Sequence, residues 1–136
     1  MNFGHWKLSP NDPQDIPIES IGFVYLITNN LTNKKYVGKK LLQNKKKRKP
    51  LKGRVNARRY MVESDWKNYC GSSKELLEDI KKYGKENFSF EIIHWCKDKW
   101  MMAYLELKEQ IIREVLFRKD YYNAYIGCRL KKINKI

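Results

Sequence analysis

The stretch Gly22-Phe-Val-Tyr-Leu-Ile-Thr28, followed by Lys35-Tyr-Val-Gly-Lys39, decides how this chain folds. Val24, Tyr25, Ile27, Tyr36 and Val37 are β-branched or aromatic, the residue types that suit a pleated, half-buried surface. Asn29, Asn30, Thr32 and Asn33 lie between the two runs and supply turn chemistry, so the segment predicts a β-hairpin. Period-two alternation sends Phe23, Tyr25 and Ile27 to one face and Val24 and Leu26 to the other. With both faces apolar, the first strand is expected inside the sheet rather than at its edge. Each strand carries one tyrosine, Tyr25 and Tyr36.

Charge accumulates directly after the second strand. Lys39 to Arg59 holds eleven Lys or Arg residues and no Asp or Glu. Pro50 and Gly53 interrupt it, which argues against one long helix and for a loop. Over all 136 residues the formal charge is +14, from 29 Lys+Arg against 15 Asp+Glu. Such an imbalance points to a polyanionic partner, nucleic acid foremost. Lys40, Lys45, Lys46, Lys47, Arg48, Lys49, Lys52, Arg54 and Arg59 are the expected phosphate contacts, with Arg129, Lys131 and Lys132 in the tail as a second group. No run of 18 or more apolar residues occurs, so a membrane partner is not expected. Met1 to Ser20 lacks the apolar core of a signal peptide, and the expected location is cytoplasmic.

The rest of the chain reads in order. Residues 1–20, with Pro10, Pro13 and Pro17, suggest an extended arm anchored by Phe3, Trp6 and Ile18. Ser72-Ser-Lys-Glu75 has the form of a capping box with Ser72 as N-cap, and Leu76, Leu77, Ile80 and Tyr83 recur at helical spacing up to Gly84. Phe88 to Ile93 reads as a third strand. Trp100 to Arg118 reads as a second helix whose buried stripe is Met101, Tyr104, Leu105, Ile111, Ile112, Val115 and Leu116. That phase places Glu106 away from the stripe, on a face shared with Gln110 and Arg113. The expected architecture is α+β, a small three-stranded antiparallel sheet flanked by helices. Its main body is residues 21–125 with a basic insertion at 39–59, and a basic tail follows at 126–136. Cys70, Cys96 and Cys128 have no CxxC spacing and, with only His5 and His94 besides, make a zinc site improbable.

Phe23-Val-Tyr25 and Tyr36-Val-Gly38 resemble the paired signature of the GIY-YIG nucleases, most of all their phage-encoded homing or mobile members. Cys70-Gly-Ser-Ser-Lys-Glu-Leu-Leu, Lys82-Tyr-Gly84, Asn87-Phe-Ser-Phe-Glu-Ile, Ala103-Tyr-Leu-Glu106 and Tyr121-Tyr-Asn123 resemble later parts of the same family. The resemblance implies an active site of Tyr25, Tyr36, Arg58, Glu106 and Asn123, with Arg59 or Arg54 as alternatives for the arginine. Lys39 occupies a position where some relatives carry a lysine. Phe23 stands where the signature has its first glycine, and Gly71 where some relatives have a histidine.

The resemblance further implies a DNA endonuclease in which Glu106 holds one Mg²⁺, with Mn²⁺ as a substitute. Its substrate would be double-stranded DNA, self-association on DNA is left open, and the setting would be a bacterial host's cytoplasm. The residue types suit that chemistry. One carboxylate and several waters suffice for Mg²⁺. An arginine such as Arg58 binds phosphate bidentately, and nearby cations could favour the anion of Tyr25 as a base. Pattern alone gives Tyr25 and Tyr36 to core packing, and it does not decide between a solvent-facing Glu106 paired with Arg113 and a Glu106 carboxylate facing a DNA groove. The alternative function is a non-catalytic basic module that binds DNA or RNA. RNA cleavage is a third.

Overall fold

The computed structural model describes residues 2–8, 15–53, 55 and 58–133, apart from the side chains of residues 47, 48 and 58. Arg54 therefore lies outside the described residues. Strands β1 (Gly22–Asn29), β2 (Lys35–Leu41) and β5 (Phe88–Cys96) form an antiparallel sheet in the order β2-β1-β5. The expected hairpin is β1–β2, and β1 is the central strand as its two-sided apolar pattern required. Between β2 and β5 come β3 (Gln43–Arg48), β4 (Arg58–Glu63) and helix α1 (Lys74–Tyr83). Helix α2 (Lys99–Ile112) follows β5.

Each face of the sheet has its own core. Phe23, Tyr25 and Ile27 pack with Trp6, Trp66, Leu76, Phe90 and Ile92 on the side of α1 and the N-terminal arm. Val24, Leu26 and Val37 pack with Met102, Val115 and Tyr121 on the side of α2. A register shift opposite Val24 and Tyr25 leaves an extra residue in β5. Such a bulge re-aims the strand locally, and it brings Trp95 and Ile92 to the same face although they are three residues apart.

Both outer edges of the sheet are bridged by a neighbouring segment, which shortens the open ladders that invite aggregation. Lys7 of the arm donates its N–H to the Phe90 carbonyl at 2.7 Å and accepts from the Ile92 N–H at 3.3 Å, closing the β5 edge. On the β2 edge, the Lys35 N–H donates to the Asp120 carbonyl at 2.9 Å and its carbonyl accepts from the Tyr122 N–H at 2.7 Å. Phe3 and Trp6 anchor the arm as expected. Ile18 does not, being 84% exposed.

Three local expectations are corrected. The N-cap of α1 is Ser73, whose hydroxyl accepts from the Leu76 N–H, rather than Ser72. The basic segment is no simple loop, because β3 and β4 pair as a second hairpin. Its cation-rich strands show no apolar alternation because no core covers them.

The third correction concerns α2, which ends at Ile112 and buries a different face. Leu105 and Val115 pack in the core as expected, but Met101, Tyr104, Ile111, Ile112 and Leu116 are exposed, while Met102 and Gln110 are buried. Met102, Glu106 and Gln110 follow each other at four-residue spacing, about 40° apart around the helix, and so share one face. That face turns inward.

The arm also carries a titratable element of the core. His5 stacks on Phe90 with ring centroids 3.8 Å apart, and burial, helped by the charge of Lys85, lowers its pKa to about 4. The unfolded chain takes up this proton near pH 6.5 and the folded one only near pH 4. Stability therefore falls as pH drops through that window and levels off below it. His5→Phe should flatten this part of the stability–pH curve, measured by urea unfolding between pH 7 and pH 4. An unchanged slope would count against the assignment.

Candidate active site

Tyr25 and Gly38 are cross-strand partners on β1 and β2. The Tyr25 phenol lies over Gly38, and a β-carbon there would overlap its hydroxyl. Gly71, at φ +89°, bounds the same ring from the other side, where a β-carbon would sit 3.4 Å from the Tyr25 hydroxyl and 3.3 Å from the Tyr36 ring. Only glycine combines that backbone with so close an approach. Tyr25 is 1% exposed, with the rings of Tyr36 and Tyr69 at 6.2 and 6.1 Å.

Tyr36 is half-buried, and its hydroxyl lies 3.2 Å from that of Ser72. Glu106 and Lys39 approach from the other face of the sheet. The Glu106 side chain is 14% exposed, and its Oε1 is 3.8 Å from the Lys39 ammonium. Tyr36, Ser72, Lys74, Glu106, Gln110 and Asn123 all border one cavity of about 420 Å³ at the β2 edge. Glu106 and Tyr36 thus meet across the strand that separates their cores.

Asn123 is held where the C-terminal segment is bound to that edge. Its Oδ1 accepts from the Val37 N–H at 3.1 Å, and its Nδ2 donates to the Val37 carbonyl at 2.9 Å. The side-chain amide continues the ladder that Lys35 begins. Beside it, the Tyr122 hydroxyl donates to Asp79 of α1 at 2.7 Å and accepts from buried Asn29 at 3.1 Å. Burial, with a contribution from Asp79, pushes the Tyr122 phenol up to about 12.

The electrostatics are those of a desolvated site. Burial raises the pKa of Glu106, and Lys39 opposes the shift without cancelling it. Burial also lifts Tyr25 well above the usual phenol range, with Tyr36, Tyr69 and Glu106 adding in the same direction. Tyr36 is raised by burial and by Glu106 against the hydrogen bond from Ser72. Among the described residues no cation is a leading influence on either phenol, and both are shifted away from ionisation.

The backbone of Arg58 lies on β4 opposite Arg48, and its side chain lies outside the described part of the structure. Arg59 pairs with Lys47 on the same ribbon. The cavity's cationic groups among the described residues are Lys74 and, through Glu106, Lys39. Lys40 pairs with Asp65 at 2.7 Å, while Lys45, Lys46, Lys49, Lys52, Arg129, Lys131 and Lys132 are at least partly open to solvent. Phe23, in place of a signature glycine, points into the aromatic core, with Trp6 at 5.1 Å and Trp95 at 5.6 Å. The close approach falls instead at Gly22, where a β-carbon would meet the Met102 sulfur at 2.6 Å. Ser72, Lys74 and Gln110 escaped sequence reading. Serine and lysine look the same at any cap or surface, and Gln110 lay on the face taken for solvent.

No three His, Cys, Asp or Glu side chains cluster as metal ligands among the described residues. The fit to a cation rests on Glu106 alone, a carboxylate short of counter-charge beside an open cavity. A hard cation that keeps most of its waters matches that donor set, and zinc does not.

The three-stranded antiparallel sheet with its flanking helices is consistent with a GIY-YIG domain. Residues 6–126 match the family described as "Putative endonuclease segE, GIY-YIG domain", and the chain belongs to that family. It is 33% identical over 105 residues to "Putative endonuclease segB" of Enterobacteria phage T4, covering 77% of this chain and 38% of that protein. "Putative endonuclease segE" of the same phage is also 33% identical over 105 residues, covering 77% and 41%. For "Putative endonuclease segD" the figures are 31% over 106 residues, 78% and 38%. The chain spans about two-fifths of the length of these curated relatives. No solved structure gives a significant match.

Two outcomes test this geometry. Gly38→Ala should lower stability by about 1–3 kcal/mol through overpacking against Tyr25, read by denaturant unfolding; a neutral result would contradict the tight approach. Because the folded chain disfavours the Glu106 carboxylate, its ionisation at pH 7 costs stability. Glu106→Gln should therefore raise Tm at pH 7, with less difference below pH 4, as calorimetry would show.

Proposed function

We propose that this domain is a metal-dependent endonuclease that hydrolyses phosphodiester bonds of double-stranded DNA, of the phage-encoded mobile type. The observation that carries the reading is Glu106, a desolvated carboxylate with one lysine near it, sharing a cavity with Tyr36 on a strongly basic chain. An isolated buried charge is costly to keep unless it is paired or used. A functional carboxylate explains its retention.

In this reading a backbone phosphate enters the cavity at the β2 edge. Lys39 and Lys74 offset charge that develops on the phosphate as the bond to the leaving oxygen breaks. Tyr36, oriented by Ser72, hydrogen-bonds to the phosphate or to the attacking water. Tyr25 supports the Tyr36 ring from the core as a neutral phenol, in place of the base role first expected. Asn123 fixes the β2 edge and does no proton chemistry. Glu106 would hold Mg²⁺, or Mn²⁺ in its place. Such an ion, when bound, acidifies a water and screens phosphate charge. Supporting the DNA assignment are the family's membership, its phage relatives' endonuclease names and the +14 charge.

Nicking of a supercoiled plasmid with Mg²⁺ tests the proposal. Glu106→Ala should cut about 10³-fold more slowly while still retaining DNA in a mobility-shift assay. Equal, weak cutting by both proteins would leave a non-catalytic binding module as the better account. Lys39 holds the Glu106 pKa down, so Lys39→Met should raise it further. The acid limb of the pH–rate profile should then move to higher pH, and a shift the other way would refute the pairing.

A further inference from the structure

The β3–β4 hairpin stands apart from the three-stranded sheet as a two-stranded sheet of its own. Isolated two-stranded hairpins are at best marginal in water, and the charge on this one makes matters worse. Its twelve residues include six Lys or Arg and one acid, Glu63. The register sets Lys47 opposite Arg59 and Arg48 opposite Arg58. Like charges at directly opposed positions destabilise a ladder. Glu63 does not relieve them, since it lies at the other end, accepting from Trp66 Nε1 at 3.1 Å and pairing with Lys67 at 3.5 Å.

The root of the ribbon, by contrast, is firmly held. Only Leu42 separates β2 from β3, and its N–H donates to the Ile21 carbonyl at 2.9 Å. Ser64 binds both adjoining carbonyls, through its hydroxyl to Leu41 at 2.6 Å and through its N–H to Leu42 at 2.8 Å. Lys40 and Asp65 close the same corner. The root of the ribbon is thus fixed directly to the strand that carries Tyr36 and Lys39.

We propose that the β3–β4 ribbon inserts into the major groove of duplex DNA beside the cleavage cavity. Alternation puts Lys45 and Met61 on one face and Lys46 and Tyr60 on the other, with Lys45, Lys46 and Arg59 exposed. A ribbon lying flat on DNA would need cations on one face only. Cations on both faces fit a ribbon between two walls of phosphate. The major groove, about 12 Å wide, admits a two-stranded ribbon, and the minor groove, about 6 Å wide, does not. An A-form RNA duplex offers a major groove too deep and narrow for it. The ten residue-to-residue steps from Tyr36 to Lys46 reach at most about 34 Å, roughly one helical turn of B-DNA. The ribbon's contacts therefore fall within about 10 base pairs of the cut, on one side of it. Their placement relative to the cut rests on the nuclease reading; the groove insertion does not.

The experiment pairs the 136-residue chain with its triple variant Lys45→Gln, Lys46→Gln, Arg59→Gln. Affinity is measured against salt on a DNA duplex and on an RNA duplex of the same sequence, with dimethyl sulfate footprinting of the DNA complexes. The wild type should protect guanine N7, in the major groove. The variant should lose that protection, bind DNA at least 10-fold more weakly at 0.15 M salt and show a log–log salt slope smaller by about 2–3. RNA binding should be weaker and change little. Circular dichroism should match wild type and Tm should not fall, since the substitutions relieve like-charge repulsion, and Lys45→Arg, Lys46→Arg, Arg59→Lys should restore N7 protection. Unchanged affinity and slope would overturn the proposal and leave the ribbon a solubilising edge. Adenine N3 protection, or an equal loss on RNA, would overturn the groove assignment. N7 protection by a protein that cuts nothing would sustain it while refuting the nuclease reading, and full cutting with an unaltered footprint in the variant would do the reverse.

Discussion

The tie between the β2 edge and the segment after α2 is the constraint on which the site depends. An edge strand leaves a row of backbone groups without partners, and here residues 120–123 supply them. Lys35 exchanges hydrogen bonds with Asp120 and Tyr122, and the Asn123 amide serves both backbone groups of Val37. Tyr36 lies between these two attachment points. The same tie brings the chain that follows α2 back across the sheet, so that residues from β2, α1, α2 and the C-terminal segment border one cavity. Asn123 thereby earns its place by building the wall against which the chemistry is proposed to occur.

The inward face of α2 shows what that arrangement costs. An ordinary amphipathic helix hides its aliphatic residues, whereas α2 exposes Ile111 and Ile112 and turns Glu106 and Gln110 toward the sheet. Glu109 beside them accepts from Arg113 at 3.3 Å and faces His94 of β5 at 3.7 Å. The polar face is therefore partly satisfied by pairing, and Glu106 is the member left with least compensation. Local rules broken at a few positions in an otherwise consistent fold mark functional sites. Charge follows a similar logic on the ribbon, where opposed cations are tolerable if a polyanion completes the structure.

How much of this was legible from sequence follows from where the information lies. The β1–β2 hairpin, its face assignment and the central place of β1 were readable because both faces of β1 are buried and each residue's type records its side. Helix α1 and strand β5 were readable from capping and alternation. The β3–β4 hairpin was not, since neither face meets a core and its strands carry charge where a pattern would otherwise appear. The phase of α2 was misread because apolar residues outnumber the buried positions, and periodicity assigns the interior to the larger set.

The sequence by itself determined the α+β class, the strand carrying each tyrosine, the basic character of the chain and, through ordered motifs, its family. Those features are local or additive, and composition and spacing carry them directly. Tertiary structure alone decided that Glu106 faces inward, that Tyr25 is sealed between Gly38 and Gly71, and that Phe23 belongs to the aromatic core. Each of these depends on which surface a neighbouring element presents. A helix turned by a hundred degrees keeps its sequence and changes what its glutamate meets.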